Sequence, residues 1–123
     1  MKNKVFNRCN LWQVPLEPTQ AHQGQGQIEF HRILTQANIK GACHFMDFTR
    51  MPPGSSIGLH RHEASEEEYY LILDGSGLMQ QDGVQFRVRA GDLIRNPPGG
   101  QHGLTNDTDQ ALHLFVFELK VQP

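Results

Sequence analysis

Two histidines one residue apart, His60 and His62, stand in the stretch GSSIGLHRHEASEEEYYLILDG (residues 54–75), and three consecutive glutamates, Glu66, Glu67 and Glu68, follow them. In an extended strand residues i and i+2 face the same way, so the two imidazoles project side by side while Arg61 points to the opposite face. Two imidazoles so placed can share a metal ion. An H-x-H pair alone does not define such a site, because strand histidines are often simply exposed or hydrogen-bonded. The chemistry needs more ligands. The sequence offers a glutamate after the pair and a third histidine, His102, in AGDLIRNPPGGQHGLTN (residues 90–106). Pro97, Pro98, Gly99 and Gly100 make a rigid turn that can fold the strand carrying His102 back across a sheet, against the first two histidines.

The rest of the chain has to position these residues. At 123 residues it has the length of one domain with a single core. Turn residues recur at short intervals, as in PPG at 52–54, DGSG at 74–77, AGD at 90–92 and NDTD at 106–109, with β-branched and aromatic runs between them. Such spacing predicts an all-β sandwich or barrel. The candidate strands are residues 27–34, 42–51, 68–74, 84–89, 92–96 and 111–119. Asp82-Gly83 between two of these runs signals a tight hairpin, whose central residues both need positive φ. Residues 1–26, with Pro15 and Pro18 among polar residues, read as an arm laid outside the domain formed by residues 27–123.

The spacings resemble those of the cupins, small β-barrels with two signature motifs. Their first motif, G-x5-H-x-H-x(3 or 4)-E-x6-G, is met by Gly54, His60, His62, a glutamate and Gly75. The second, G-x5-P-x-G-x2-H-x3-N, is met by Gly91, Pro97, Gly99, His102 and Asn106. The resemblance covers residues 54–106 and implies a double-stranded β-helix (jelly-roll) barrel of two antiparallel sheets. It further implies that His60, His62, one glutamate and His102 are metal ligands. Which glutamate is left open by the family pattern. Glu66 and Glu67 fit the spacing counted forward from His62, and Glu68 fits that counted back from Gly75. An insertion within EYYLILD would flip the side chains that follow or force a bulge, whereas one in the HEASEE loop changes only a connection. Glu68 is therefore preferred, with Glu67 as the alternative if a bulge is present. On the Glu68 phase, Tyr70 and Ile72 also point inward. Glu63 and Glu66 then read as solvated charges.

Three imidazoles and a carboxylate suit one divalent transition metal per chain, Fe, Mn, Ni, Co, Cu or Zn, with positions open for water or substrate. The function implied is a metal-dependent enzyme on a small oxygenated molecule, of dioxygenase, isomerase or epimerase, lyase or decarboxylase type. The alternative is a binding or sensing domain for a sugar or carboxylate, without turnover. Further pocket candidates are His113, the one polar residue read as interior in ALHLFVFEL, His44, which looks inward if it shares a face with Met46 and Phe48, and Tyr70. His22 and His31 read as surface residues. A net charge of −2 with mixed signs argues against nucleic acid and an anionic membrane surface as partners. With no signal-peptide pattern at the N-terminus and two cysteines, a reduced cytoplasmic protein is expected. Exposed sheet edges and the cupin resemblance lead to the expectation of a homodimer.

Overall fold

Short runs of alternating apolar and polar residues hide their apolar faces by stacking one sheet on another. The computed structural model describes residues 6–121 and has this arrangement. The first five residues of the N-terminal arm lie outside the described residues. After a short 3-10 turn at Leu11–Gln13 come, among the described residues, ten strands: β1 Glu17–Thr19, β2 Ile28–Thr35, β3 Cys43–Met51, β4 Ser56–Arg61, β5 Glu66–Asp74, β6 Ser76–Gln81, β7 Val84–Arg89, β8 Leu93–Asn96, β9 Gln101–Thr105 and β10 Leu112–Lys120. Six of them form one sheet in the order β1-β2-β3-β10-β5-β8, and the other four form a second in the order β4-β9-β6-β7. Every pairing is antiparallel. The fold is the jelly roll expected from the sequence, and none of its helices among the described residues is long and apolar enough to cross a membrane.

Inward-facing residues of both sheets, Met51, Ile57, Tyr70, Ile72, Met79 and Leu112 among them, form the core. On β5 the buried residues are Glu68, Tyr70 and Ile72, the phase expected above. Asp82 and Gly83 have φ of 48° and 84° and join β6 to β7 in a two-residue hairpin, closed by the Gln81 and Val84 pair. Four strands were not in the sequence-derived set: β1, which lies in the segment read as an arm, β4, read only as an extended stretch around the histidines, β6 and β9. Their composition hides them, since SGLMQQ and QHGLT carry glycine and glutamine where strands usually carry branched side chains. Gly103 in β9 has a packing reason, because a Cβ there would press on the backbone of Leu59 in β4 at 3.1 Å.

The N-terminal arm is divided in two. Trp12 packs on the outer face of the six-stranded sheet, 5.3 Å from the ring of Phe48 and 4.7 Å from that of His113. Further along, β1 pairs with the edge of β2, and residues 21–25 are bonded to β4 through Gly58 N to Ala21 O and Ser56 N to Gln25 O. His22 and Gln23 take φ of 51° and 59°, a conformation non-glycine residues adopt rarely.

Candidate metal centre

Backbone pairing assembles the cluster. β4 and β9 are neighbours with His60 directly opposite His102, and His62 follows two residues beyond His60, so three imidazoles meet at one end of the four-stranded sheet. Glu68 comes from β5 in the other sheet, between Glu118 on β10 and Asn96 on β8. Its carboxylate is buried, with Oε1 at 3.0 Å from His102 Nε2 and 3.3 Å from His62 Nε2. His60 Nε2 lies 3.1 Å from His62 Nε2. One ligand atom from each of His60, His62, Glu68 and His102 falls within 4.8 Å of the others, and the group could hold a metal ion.

The atoms on the far side of the rings decide whether the donors fit such an ion. His60 Nδ1 lies 2.7 Å from the carbonyl of Gly58, which can only accept, so the proton is on Nδ1 and the Nε2 lone pair faces the cluster. His62 Nδ1 faces Glu118 Oε1 at 3.3 Å and Glu66 Oε1 at 3.4 Å, so its Nε2 is likewise turned inward. An outer ring nitrogen held by an oxygen is the arrangement of metal-bound histidine; the inner Nε2 of His62 bonds to Glu68 here, and a bound ion would take the place of the proton in that bond.

Electrostatics at the cluster follow from burial and these contacts. Burial pushes His60 down to about 4, opposed in part by its bond to the Gly58 carbonyl. His62 goes the other way, raised to about 10 by its hydrogen bonds to Glu118 and Glu68. Burial acts to raise Glu68, but hydrogen bonds from His102 and His62 outweigh it and bring the carboxyl to about 2. Glu118 is also held below the ordinary carboxylate range, its burial being outweighed by His62 and His44. Tyr70, fully buried next to Glu68, is raised well above the usual phenol value, first by burial and then by that carboxylate.

Of the other residues singled out in the sequence, Glu67 faces away from the cluster, accepting from Tyr69 Oη at 3.1 Å and from Arg95 Nη2 at 2.8 Å. Tyr70 lies on the inner face, its ring 5.5 Å from that of His102. His113 is on the opposite face of β10, under Trp12 and stacked on Phe48, and Asp74 is 3.6 Å from its Nδ1. The inward phase of β10 is instead Leu112, Leu114, Val116 and Glu118. His44 does reach the cluster's surroundings, but by another route than the one expected. Met46 and Phe48 face outward, and a register shift opposite Glu118 and Leu119 leaves His44 without a partner in the pairing, where its ring turns to Glu118 at 2.8 Å.

Glu118, Glu66 and His22 were not read as site residues. Glu118 could have been found from the phase of its own strand, since it continues the inward series Leu112, Leu114, Val116. Glu66 is the first residue of β5 and shares a face with Glu68, so it is not a free loop charge. His22, exposed as expected, nevertheless stacks on His60 with centroids 3.5 Å apart and planes at 7°. No local sequence signal marks that contact, which depends on where residues 21–25 run. Beside the cluster, between the sheets, lies a cavity of about 320 Å³ lined in part by His22, Glu68, Tyr70 and an Arg32 and Asp47 pair.

A jelly roll that carries a histidine and glutamate cluster at one end of its barrel, beside a cavity open to solvent, defines the class. The family model described as "Cupin domain" matches residues 47–118, and the chain belongs to the cupin family. It is 32% identical over 93 residues to the oxalate-binding protein of Thermotoga maritima, covering 76% of each chain. It is 28% identical to the dimethylsulfoniopropionate lyase DddW of Ruegeria pomeroyi, over 63% of this chain and 50% of that one. Among solved structures, that of a predicted oxalate decarboxylase from Thermotoga maritima superimposes with a TM-score of 0.86 at 26% identity, over 91% of this chain and 97% of the other.

Proposed function

We propose that the chain is a metal-dependent cupin enzyme acting on a small oxygenated molecule, with His60, His62, Glu68 and His102 holding one divalent transition metal. The observation that carries this reading is the convergence of three imidazole Nε2 atoms on the buried Glu68 carboxylate, next to a cavity of about 320 Å³. Three neutral nitrogens and one carboxylate suit Fe, Mn, Ni, Co, Cu or Zn. When bound, such an ion supplies a Lewis acid for a carbonyl or enolate oxygen and lowers the pKa of coordinated water. The protein's own part is to fix the rings through Gly58 O and Glu118, and to keep Tyr70 protonated as a donor beside the cluster.

A second reading, binding without turnover, is favoured by one observation. Of the carboxylates lining the cavity, Glu68 belongs to the cluster and Asp47 is tied up by Arg32, so no free carboxylate base faces a ligand among the described residues. The relative named as an oxalate-binding protein is consistent with that reading. Elemental mass spectrometry on untagged protein, followed by incubation of the metal-loaded protein with small hydroxy, keto and dicarboxylic acids under NMR, separates the two. Consumption of an acid supports the enzyme, saturable binding without consumption supports the binding domain, and absence of metal after reloading overturns the ligand set and leaves only a metal-free binding domain.

The same reading includes a homodimer. Leu59, Val84 and Leu93 are exposed by 51%, 60% and 59% on the edge strands β4, β7 and β8, and apolar edges of this kind are usually covered. Sedimentation velocity that shows monomer alone at high concentration overturns it.

A further inference from the structure

The part of the cavity away from the cluster has a composition of its own. Arg32 on β2 and Asp47 on β3 are directly opposite in register and share the inward face. Arg32 Nε and Nη2 donate to the two Asp47 oxygens at 2.9 and 3.0 Å, which locks the guanidinium in one plane. That plane lies over the Phe45 ring at 4.3 Å. The bidentate bond leaves Nη1 outside it, and the Arg32 side chain is 46% exposed, against 10% for Asp47. Arg32 thus presents a fixed donor edge at the rim of the cavity.

Stability does not explain the pair. Asp47 is buried but Arg32 is nearly half exposed, and ion pairs open to solvent on one side add little to stability. Recognition does explain it, because an arginine held by one carboxylate keeps its orientation for a second. With Asp47 neutralising the charge, the selectivity comes from the direction of the donors, and the ligand must bring an acceptor to that edge. The remaining wall is apolar at Phe30, Phe45 and Val116 and polar at Thr19, Gln20 and Thr49. Size points the same way. In a cavity of about 320 Å³, a six-atom dicarboxylate such as oxalate fills little more than half, even at about 30 Å³ per heavy atom, the share of a water molecule.

We infer that the cavity takes a carboxylic acid with an apolar body and a second anionic group, one end meeting the histidine and glutamate cluster and the other held by the free edge of Arg32. This rests on the reading that the cluster holds a metal. The apolar body lies against Phe30, Phe45 and Val116.

The test is isothermal titration calorimetry on the metal-loaded protein with terephthalate, whose two carboxylates stand at opposite ends of an apolar ring, and with benzoate and oxalate as comparison probes. Wild type binds terephthalate more tightly than either of the others. Arg32→Gln weakens terephthalate by about tenfold or more, the range for a lost hydrogen bond to a charged group, and leaves benzoate unchanged. Because Arg32→Gln strands Asp47, the double variant Arg32→Gln/Asp47→Asn removes both charges at similar volume and gives the same discrimination if the single variant folds poorly. Equal losses for terephthalate and benzoate, no loss for terephthalate, or tighter binding of oxalate than of terephthalate each overturn the inference. Repeating the titrations after chelator treatment keeps the two readings apart. Terephthalate affinity that is indifferent to metal removes the role of the cluster, while a difference between wild type and Arg32→Gln still reports on Arg32.

Discussion

Glu118 Oε1 lies 3.3 Å from Nδ1 of His62, and its other oxygen is 2.8 Å from Nδ1 of His44. One buried carboxylate therefore braces a cluster histidine and is itself braced from the neighbouring strand. Outer partners of this kind set ring orientation and ligand basicity, and their loss costs about 10–100-fold in metal affinity. Glu118→Gln keeps the shape and removes the charge, and we expect that loss in a chelator competition assay. Unchanged affinity in Glu118→Gln would remove His62 orientation from its role.

Metal content separates the glutamates. Glu68→Ala and His102→Ala are expected to purify and reload with less than a tenth of the wild-type metal. Glu67→Ala is expected to match wild type, because the Glu67 carboxylate is engaged by Tyr69 and Arg95 on the other side of β5. Full metal in Glu68→Ala, read by elemental mass spectrometry, would be incompatible with the proposed ligand set.

The histidine pair, His102 and the phase of β5 were legible because they depend on local period and on turns, PPGG and DG, that fix how strands return. Glu68 was preferred over Glu67 by asking where an insertion does least damage; β5 does carry an irregularity within EYYLILD, at Leu73 opposite β10, but it comes after the buried run of Glu68, Tyr70 and Ile72. The placement of His44 was not legible, since it depends on a bulge in the pairing of β3 with β10, a contact between distant segments. His113 was misread for a simpler reason. ALHLFVFEL is apolar on both faces, because Trp12 and its neighbours cover the outer one, so alternation gave no phase. His22 and Arg32 meet the cavity only through tertiary packing.

His113 makes a pH-dependent contribution on that outer face. Burial lowers its pKa, with Asp74 acting to raise it and Arg50 to lower it further. The folded protein thus holds the proton less well than the unfolded chain, whose histidine titrates near 6.5. Stability is lost as pH falls through that value and levels off below the folded pKa. His113→Phe keeps a ring between Trp12 and Phe48 and cannot titrate. Urea midpoints from pH 7 to 5 are expected to fall less steeply in His113→Phe than in wild type. Identical slopes would mean that His113 is protonated equally in both states.

Two glycines fix how close residues 21–25 come to β4. A Cβ on Gly58 would fall on the carbonyl oxygen of His22, and one on Gly24 would fall on that of Ser56, in both cases backbone atoms that cannot swing aside. Relief requires the segment to lift from the strand, breaking the bonds from Gly58 N to Ala21 O and from Ser56 N to Gln25 O. It also pulls the His22 ring from its stack on His60. Gly58→Ala and Gly24→Ala are therefore expected to cost about 1–3 kcal/mol, the usual range for overpacking. Gly41→Ala serves as the control, since a Cβ there has nothing within 4 Å and the substitution reduces only the freedom of the unfolded chain. Denaturant midpoints that fall for Gly58 and Gly24 but not for Gly41 confirm the close approach. Equal midpoints in all three would show that the segment rests on β4 without being held there, and that the His22 and His60 stack is not fixed by the fold.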